Sequence, residues 1–138
     1  LPIFSDLVRG MGGDSSGGSP VDRRNQQIRA TLLARRRKFE RLRAVLLIKG
    51  PTTVIASPDG ELAVYGGGGV GLATGGSGDV LTGLIAGLCA RGLPAWEAVC
   101  WGVWLHGEAG RRLAERMGPM GFLARELPGE IPALMRGV

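Results

Sequence analysis

The residues with the most chemical potential lie in the stretch "GGGGVGLATGGSGDVLTG" (residues 66–83), where eight glycines precede a single acid, Asp79, and an apolar helical pattern starts immediately behind it. A helix N-terminus leaves several N–H groups without an intrahelical partner and carries roughly half a positive charge. An anion can approach those groups closely only if the preceding residues lack obstructing side chains, and Gly75, Gly76 and Gly78 meet that need. Phosphate is the natural guest. An acid aimed at a phosphate would repel it, but Asp79 directed beside it, toward a substrate hydroxyl, would take the hydroxyl proton as a phosphoryl group arrives. A second reading makes Asp79 or Ser77 an ordinary helix cap and the glycines a turn. The residues alone leave both open. Neither a dinucleotide fingerprint nor a Walker loop is present.

Positioning such a cradle requires α/β elements, and the flanking sequence supplies them. "AVLLIKG" (residues 44–50) is a short continuous apolar run closed by Gly50 and Pro51, which predicts a strand buried on both faces of a parallel sheet. "TVIASPDGELAVY" (residues 53–65) predicts a hairpin turning at Pro58, Asp59 and Gly60. Behind Asp79, the spacing places Leu81, Leu84, Ile85 and Leu88 on one helix face and Gly83, Ala86, Gly87 and Ala90 on another, where a neighbour is expected to press closely; Gly92 and Pro94 end the helix. A longer helix runs from Pro94 to about Met117 with Val99, Val103 and Leu105 inward and Arg111, Arg112 and Arg116 near its end. "GFLARELPGEIPALM" (residues 121–135) reads as one or two short helices, and residues 66–72 as a loose loop. Upstream, residues 10–20 are a flexible Gly/Ser/Pro linker, and the segment from Asp22 predicts a helix with Ile28, Leu32, Phe39 and Leu42 as its apolar stripe. The division that follows is a flexible or disordered segment over residues 1–22 and a structured remainder over residues 23–138.

Composition narrows the function classes. With 138 residues, 44% apolar and 21% charged, the chain is one globular domain or part of one. The net charge of +5 suggests nucleic acid, yet nine of the seventeen basic residues lie between Arg23 and Arg43, and the remainder is slightly acidic. That helix lacks interleaved aromatics and base-reading motifs, so a solvated charged face is favoured over a nucleic-acid module. Cys89 and Cys100 sit in apolar surroundings without metal-ligand spacing, which predicts buried free thiols and a reducing cytoplasm. The apolar runs fall short of the ~20 residues of a membrane span. The chain opens at Leu1 with neither a signal peptide nor a natural start, and reads as an excerpt.

The stretch "GLATGGSGDVLTGLIAGLCARG", with "IKGPTTVIASPDG" before it and "LHGEAG" after it, closely resembles the NAD(P)H-hydrate dehydratases, carbohydrate kinase-like repair enzymes of the ribokinase-like superfamily. The likeness covers about residues 44–135. It implies that residues 23–138 are a partial catalytic domain, the C-terminal portion of a ribokinase-like three-layer α/β fold. It also implies ADP- or ATP-dependent dehydration of hydrated NADH or NADPH, by phosphorylation of the ring hydroxyl and loss of phosphate. On the matching positions, Gly76, Ser77 and Gly78 correspond to the anion hole and Asp79 to the base. Lys49, Gly50, Pro51, Thr52 and Thr53 correspond to the nucleotide-contacting strand end, with a solvated strand-end lysine as the plainer alternative for Lys49. His106 corresponds to an interior histidine that bonds neighbouring backbone or lies near the adenine end of the site, rather than a catalytic one. Mg2+ would accompany the nucleotide phosphates, and the sequence offers no dedicated metal cage.

Departures from the family pattern are specific. The chain has Gly68, Gly69, Val70 and Gly71 where relatives carry a Gly-Asn-Pro-Gly turn, and Glu126 where an aspartate is common. The family's N-terminal half, with a "PHPGE"-type segment, does not occur in these residues. A truncated sheet and the family's habit of assembling both favour a homo-oligomer. Two other readings are a ribokinase-like kinase of a vitamin-precursor alcohol, and an inactive fragment or basic-helix binding module.

Overall fold

The computed structural model describes residues 43–136 and the isolated positions Arg23, Gln26, Gln27, Ala30 and Arg41. The linker reading of residues 10–20 lies outside the described residues, as does most of the helix read from Asp22 onward. The chain divides into two compact units between Tyr65 and Gly66.

The first unit contains a three-stranded sheet in the order β1 (Leu46–Ile48), β2 (Thr53–Ala56), β3 (Leu62–Tyr65). Both pairings are antiparallel, with Leu47 opposite Ile55 and Ile55 opposite Ala63. The hairpin expected around Pro58 to Gly60 forms. Its turn is closed by Ser57, whose N–H donates to the Glu61 carbonyl at 2.9 Å while its Oγ accepts from the Glu61 N–H at 3.0 Å. The parallel, doubly buried reading of residues 44–50 is corrected: Leu46 and Leu47 are half-buried and Ile48 is exposed. Only residues 49–52 separate β1 from β2, whereas a parallel crossover needs about a dozen residues or more, so a tight reversal is the one geometry this connection permits.

The second unit is helical. A 3-10 turn (Val70–Ala73) leads to α1 (Ser77–Ala90), followed by α2 (Ala95–Met117), a second 3-10 turn (Ala124–Glu126) and α3 (Leu127–Met135). Its core joins Leu72, Leu88, Leu105, Ala109, Leu113, Phe122, Leu127 and Leu134. Leu81, Val99 and Val103 are also buried, as their spacing predicts. Arg116 pairs with Glu130 at 2.6 Å and ties α2 to α3 at the surface. Neither cysteine forms a disulfide, and only Cys100 is buried; Cys89 falls on the solvent side of α1, among the small residues of that helix. No helix among the described residues is long and apolar enough to cross a membrane.

The close helix contact lies elsewhere than the spacing suggested. Gly83, Ala86, Gly87 and Ala90 are exposed, and a Cβ at Gly83 or Gly87 would meet nothing. The near approach is made by Gly102 of α2, where a Cβ would stand 2.5 Å from Ile85. Residues 66–72 are likewise no loose loop throughout. Gly68 and Gly71 are buried, and a Cβ on Gly71 would collide with the Phe122 ring and the Pro119 carbonyl, each at 2.5 Å. Missing side chains here create contact rather than slack.

Two alanine substitutions separate these classes in urea denaturation. Gly71→Ala is expected to destabilise by about 1–3 kcal/mol through overpacking. Gly83→Ala is expected to stabilise by about 0.5–1 kcal/mol, because it restores helix propensity at an open position. Equal midpoints for the two variants would contradict the packing described for Gly71.

Candidate active site

The start of α1 is set by Gly76, the N-cap residue, at φ 84° and ψ −10° in the left-handed region. An L-residue with a side chain is strained there, so glycine is the residue this entry turn calls for. No side chain caps the helix, so the reading of Asp79 or Ser77 as a cap does not hold; α1 begins at Ser77 and Asp79 lies inside its first turn. The Ser77 N–H donates to the Thr74 carbonyl at 3.3 Å and the Val80 N–H to the Gly76 carbonyl at 3.1 Å. Between them, the N–H groups of Gly78 and Asp79 have no backbone acceptor among the described residues. Those are donors an anion can use.

Space is kept open in front of these donors. A Cβ at Gly75 or at Gly78 would meet no atom within 4 Å, and both residues are exposed, as is Asp79. Below the donors the turn is firmly held. Thr82 Oγ1 donates to the Gly78 carbonyl at 2.9 Å. The Ala124–Glu126 turn packs beside Gly76, with the Ala124 Cβ 3.4 Å from where a Gly76 Cβ would stand. That turn is fixed by Glu126, whose carboxylate accepts the Leu123 N–H at 2.7 Å, a structural use of the acid that replaces the family's aspartate.

Ser77 points inward, 1% exposed, and meets His106 of α2, itself 3% exposed. The His106 Nε2 lies 2.9 Å from the Ser77 carbonyl oxygen and 3.0 Å from Ser77 Oγ. Bonding to neighbouring backbone was expected of His106; its attachment to Ser77 was not, and the 29-residue separation leaves no local signal for it.

Lys49, Gly50, Pro51, Thr52 and Thr53 form the tight link between β1 and β2 and the first residue of β2. Thr53 is buried and its Oγ1 reaches the Gly50 carbonyl at 3.5 Å, while Lys49, Gly50 and Pro51 are exposed. This segment belongs to the first unit and the Gly76 to Asp79 segment to the second. Among the described residues no group of three His, Cys, Asp or Glu side chains is placed to hold a metal ion.

Comparison with known proteins places this α/β chain in the carbohydrate-kinase-like class. Residues 17–133 match the family model described as NAD(P)H-hydrate dehydratase, and the chain belongs to that family. It is 51% identical over 96 residues to the ADP-dependent (S)-NAD(P)H-hydrate dehydratase of Xanthomonas campestris pv. campestris, covering 70% of this chain and 33% of the relative. The bifunctional NAD(P)H-hydrate repair enzyme Nnr of Moorella thermoacetica is 46% identical over 95 residues, covering 69% of this chain and 18% of the relative. The ADP/ATP-dependent NAD(P)H-hydrate dehydratase of Bacillus subtilis, co-crystallised with ATP/Mg2+, superposes with a TM-score of 0.71 at 31% identity, over 82% of this chain and 41% of that one. The chain thus spans a third or less of the curated relatives' length and carries part of the fold.

Gly76 offers a direct check on the entry turn. Gly76→Ala is expected to cost about 1–2 kcal/mol from the left-handed conformation, and Gly76→Asn less, since Asn tolerates that region. Equal losses in thermal melts would show that the helix start, not its dihedral angles, had been damaged.

Proposed function

We propose that the chain supplies the phosphoryl-transfer part of an enzyme that uses ADP or ATP to dehydrate hydrated NADH or NADPH. The observation carrying this reading is the pair of amides at Gly78 and Asp79 that have no backbone acceptor among the described residues and lie beside open space and an exposed carboxylate. Family membership supports it. When bound, the nucleotide supplies the phosphoryl group that turns a hydroxyl into a good leaving group.

In this reading the Gly78 and Asp79 amides, with the positive end of the α1 dipole behind them, hold the charge that accumulates on the phosphoryl oxygens. The Asp79 carboxylate takes the proton from the hydrate hydroxyl as its oxygen bonds to phosphorus and the bridging P–O bond of the nucleotide breaks. Loss of phosphate from the ring carbon, with a proton leaving the adjacent carbon, then restores the double bond. Lys49 and the Gly50 to Thr53 backbone are assigned to the nucleotide. Magnesium accompanying the nucleotide would supply neutralisation of its clustered phosphate charge.

The test supplies hydrated NADH or NADPH with ADP or ATP and Mg2+ and follows the return of reduced-nicotinamide absorbance. Asp79→Asn is expected to lower kcat by about 10²–10⁴-fold, the usual loss on removing a general base. Gly78→Ala, which adds a methyl group only to the open side, is expected to weaken nucleotide binding while leaving the melting temperature nearly unchanged. Full activity in Asp79→Asn would remove that residue from the proposed chemistry. A folded but inactive wild-type chain would show that these residues do not suffice.

A further inference from the structure

We propose that His106 is a positioning residue for this chemistry: by donating its Nε2 proton to Ser77, it fixes the peptide whose other end is the Gly78 amide. The inference rests on the reading of residues 75–79 as an anion cradle. It starts from one nitrogen facing two oxygens, at 2.9 Å from the Ser77 carbonyl and 3.0 Å from Ser77 Oγ. A carbonyl can only accept, so Nε2 carries the hydrogen and shares it between both oxygens. Ser77 Oγ is then an acceptor toward His106, and its own proton points elsewhere.

The consequence passes through a single peptide plane. The Ser77 carbonyl and the Gly78 N–H belong to the same planar trans unit and point in opposite directions. Holding the carbonyl toward the protein interior therefore aims the Gly78 N–H outward, to the side where Gly75 and Gly78 leave space. Without an anchor this is a weak point of the fold, because first turns fray and the glycines at 76 and 78 on either side add backbone freedom. The anchor itself is rigid. His106 sits mid-helix in α2 between buried Leu105 and buried Gly107, and both it and Ser77 are shielded from water that would compete for the bond.

His106 touches no reacting atom in this scheme, so its test must separate orientation from bulk stability. His106→Phe keeps a ring but has no donor; His106→Gln brings an amide N–H to about the reach of Nε2. Heteronuclear NMR of the whole chain reads the imidazole tautomer, the backbone order parameter of the Gly78 amide, and the response of the Gly78 and Asp79 amides to inorganic phosphate. A protonated Nε2 is expected, with a lowered Gly78 order parameter and a weakened phosphate response in His106→Phe and recovery of both in His106→Gln. In the repair assay, His106→Phe is expected to lower kcat about 10- to 100-fold, the scale of a misplaced group, with KM for the hydrate little changed. His106→Gln should regain most of that loss.

An unaltered Gly78 order parameter in His106→Phe, or Gln and Phe variants equally impaired at matched stability, would overturn the proposal. Failure of the cradle reading looks different. There the wild-type amides ignore phosphate, while the Gly78 order parameter still reports whether His106 holds the peptide.

Discussion

Two hydrogen bonds from one imidazole nitrogen to Ser77 join the buried middle of α2 to the first residue of α1. The helix start has to satisfy opposing demands: its amides must lack partners, yet its backbone must not wander. Ordinary caps solve the second demand by consuming the first, because a side-chain oxygen that fixes the turn also occupies its donors. Here the turn is held from behind, through carbonyls and a buried hydroxyl, by His106 and by Thr82. The donors at Gly78 and Asp79 stay open.

That solution depends on α1 and α2 lying close enough for an imidazole to reach a backbone carbonyl. Gly102 permits the approach by letting Ile85 sit against the α2 backbone, and Gly110 does the same for Leu72, which a Cβ there would meet at 2.7 Å. Among the described residues, the glycines around this helix pair include two physical kinds. Those at 68, 71, 102 and 110 are places where another atom already stands, and those at 75 and 78 are places where none does. Only the second kind is available to a ligand.

Much of this organisation was legible in the residues. The Ser57 to Glu61 turn, the inward faces of both long helices and the short tail helices follow from turn chemistry and periodicity. What failed did so for identifiable reasons. Residues 44–50 were read by hydrophobicity alone, while the short link to β2 already dictated antiparallel pairing. Glycine-rich residues 66–72 were read as permissive because composition does not distinguish an absent side chain that frees the backbone from one that admits Phe122. The small-residue face of α1 was assigned to packing, yet in the described residues it faces outward, and Cys89 with it. The bond between Ser77 and His106 joins residues too far apart in sequence for any local pattern to reveal.

The order of the sheet has a kinetic side. Among the described residues, β1, β2 and β3 pair with their sequence neighbours, so each of these ladders closes a short loop. Contacts of that kind form on about the 1–10 μs scale of hairpins, far faster than a ribosome adds the following residues. During synthesis the meander is thus able to pair before α1 exists. The helix that bears the open amides is formed later, and its first turn acquires its anchor only once α2 has emerged.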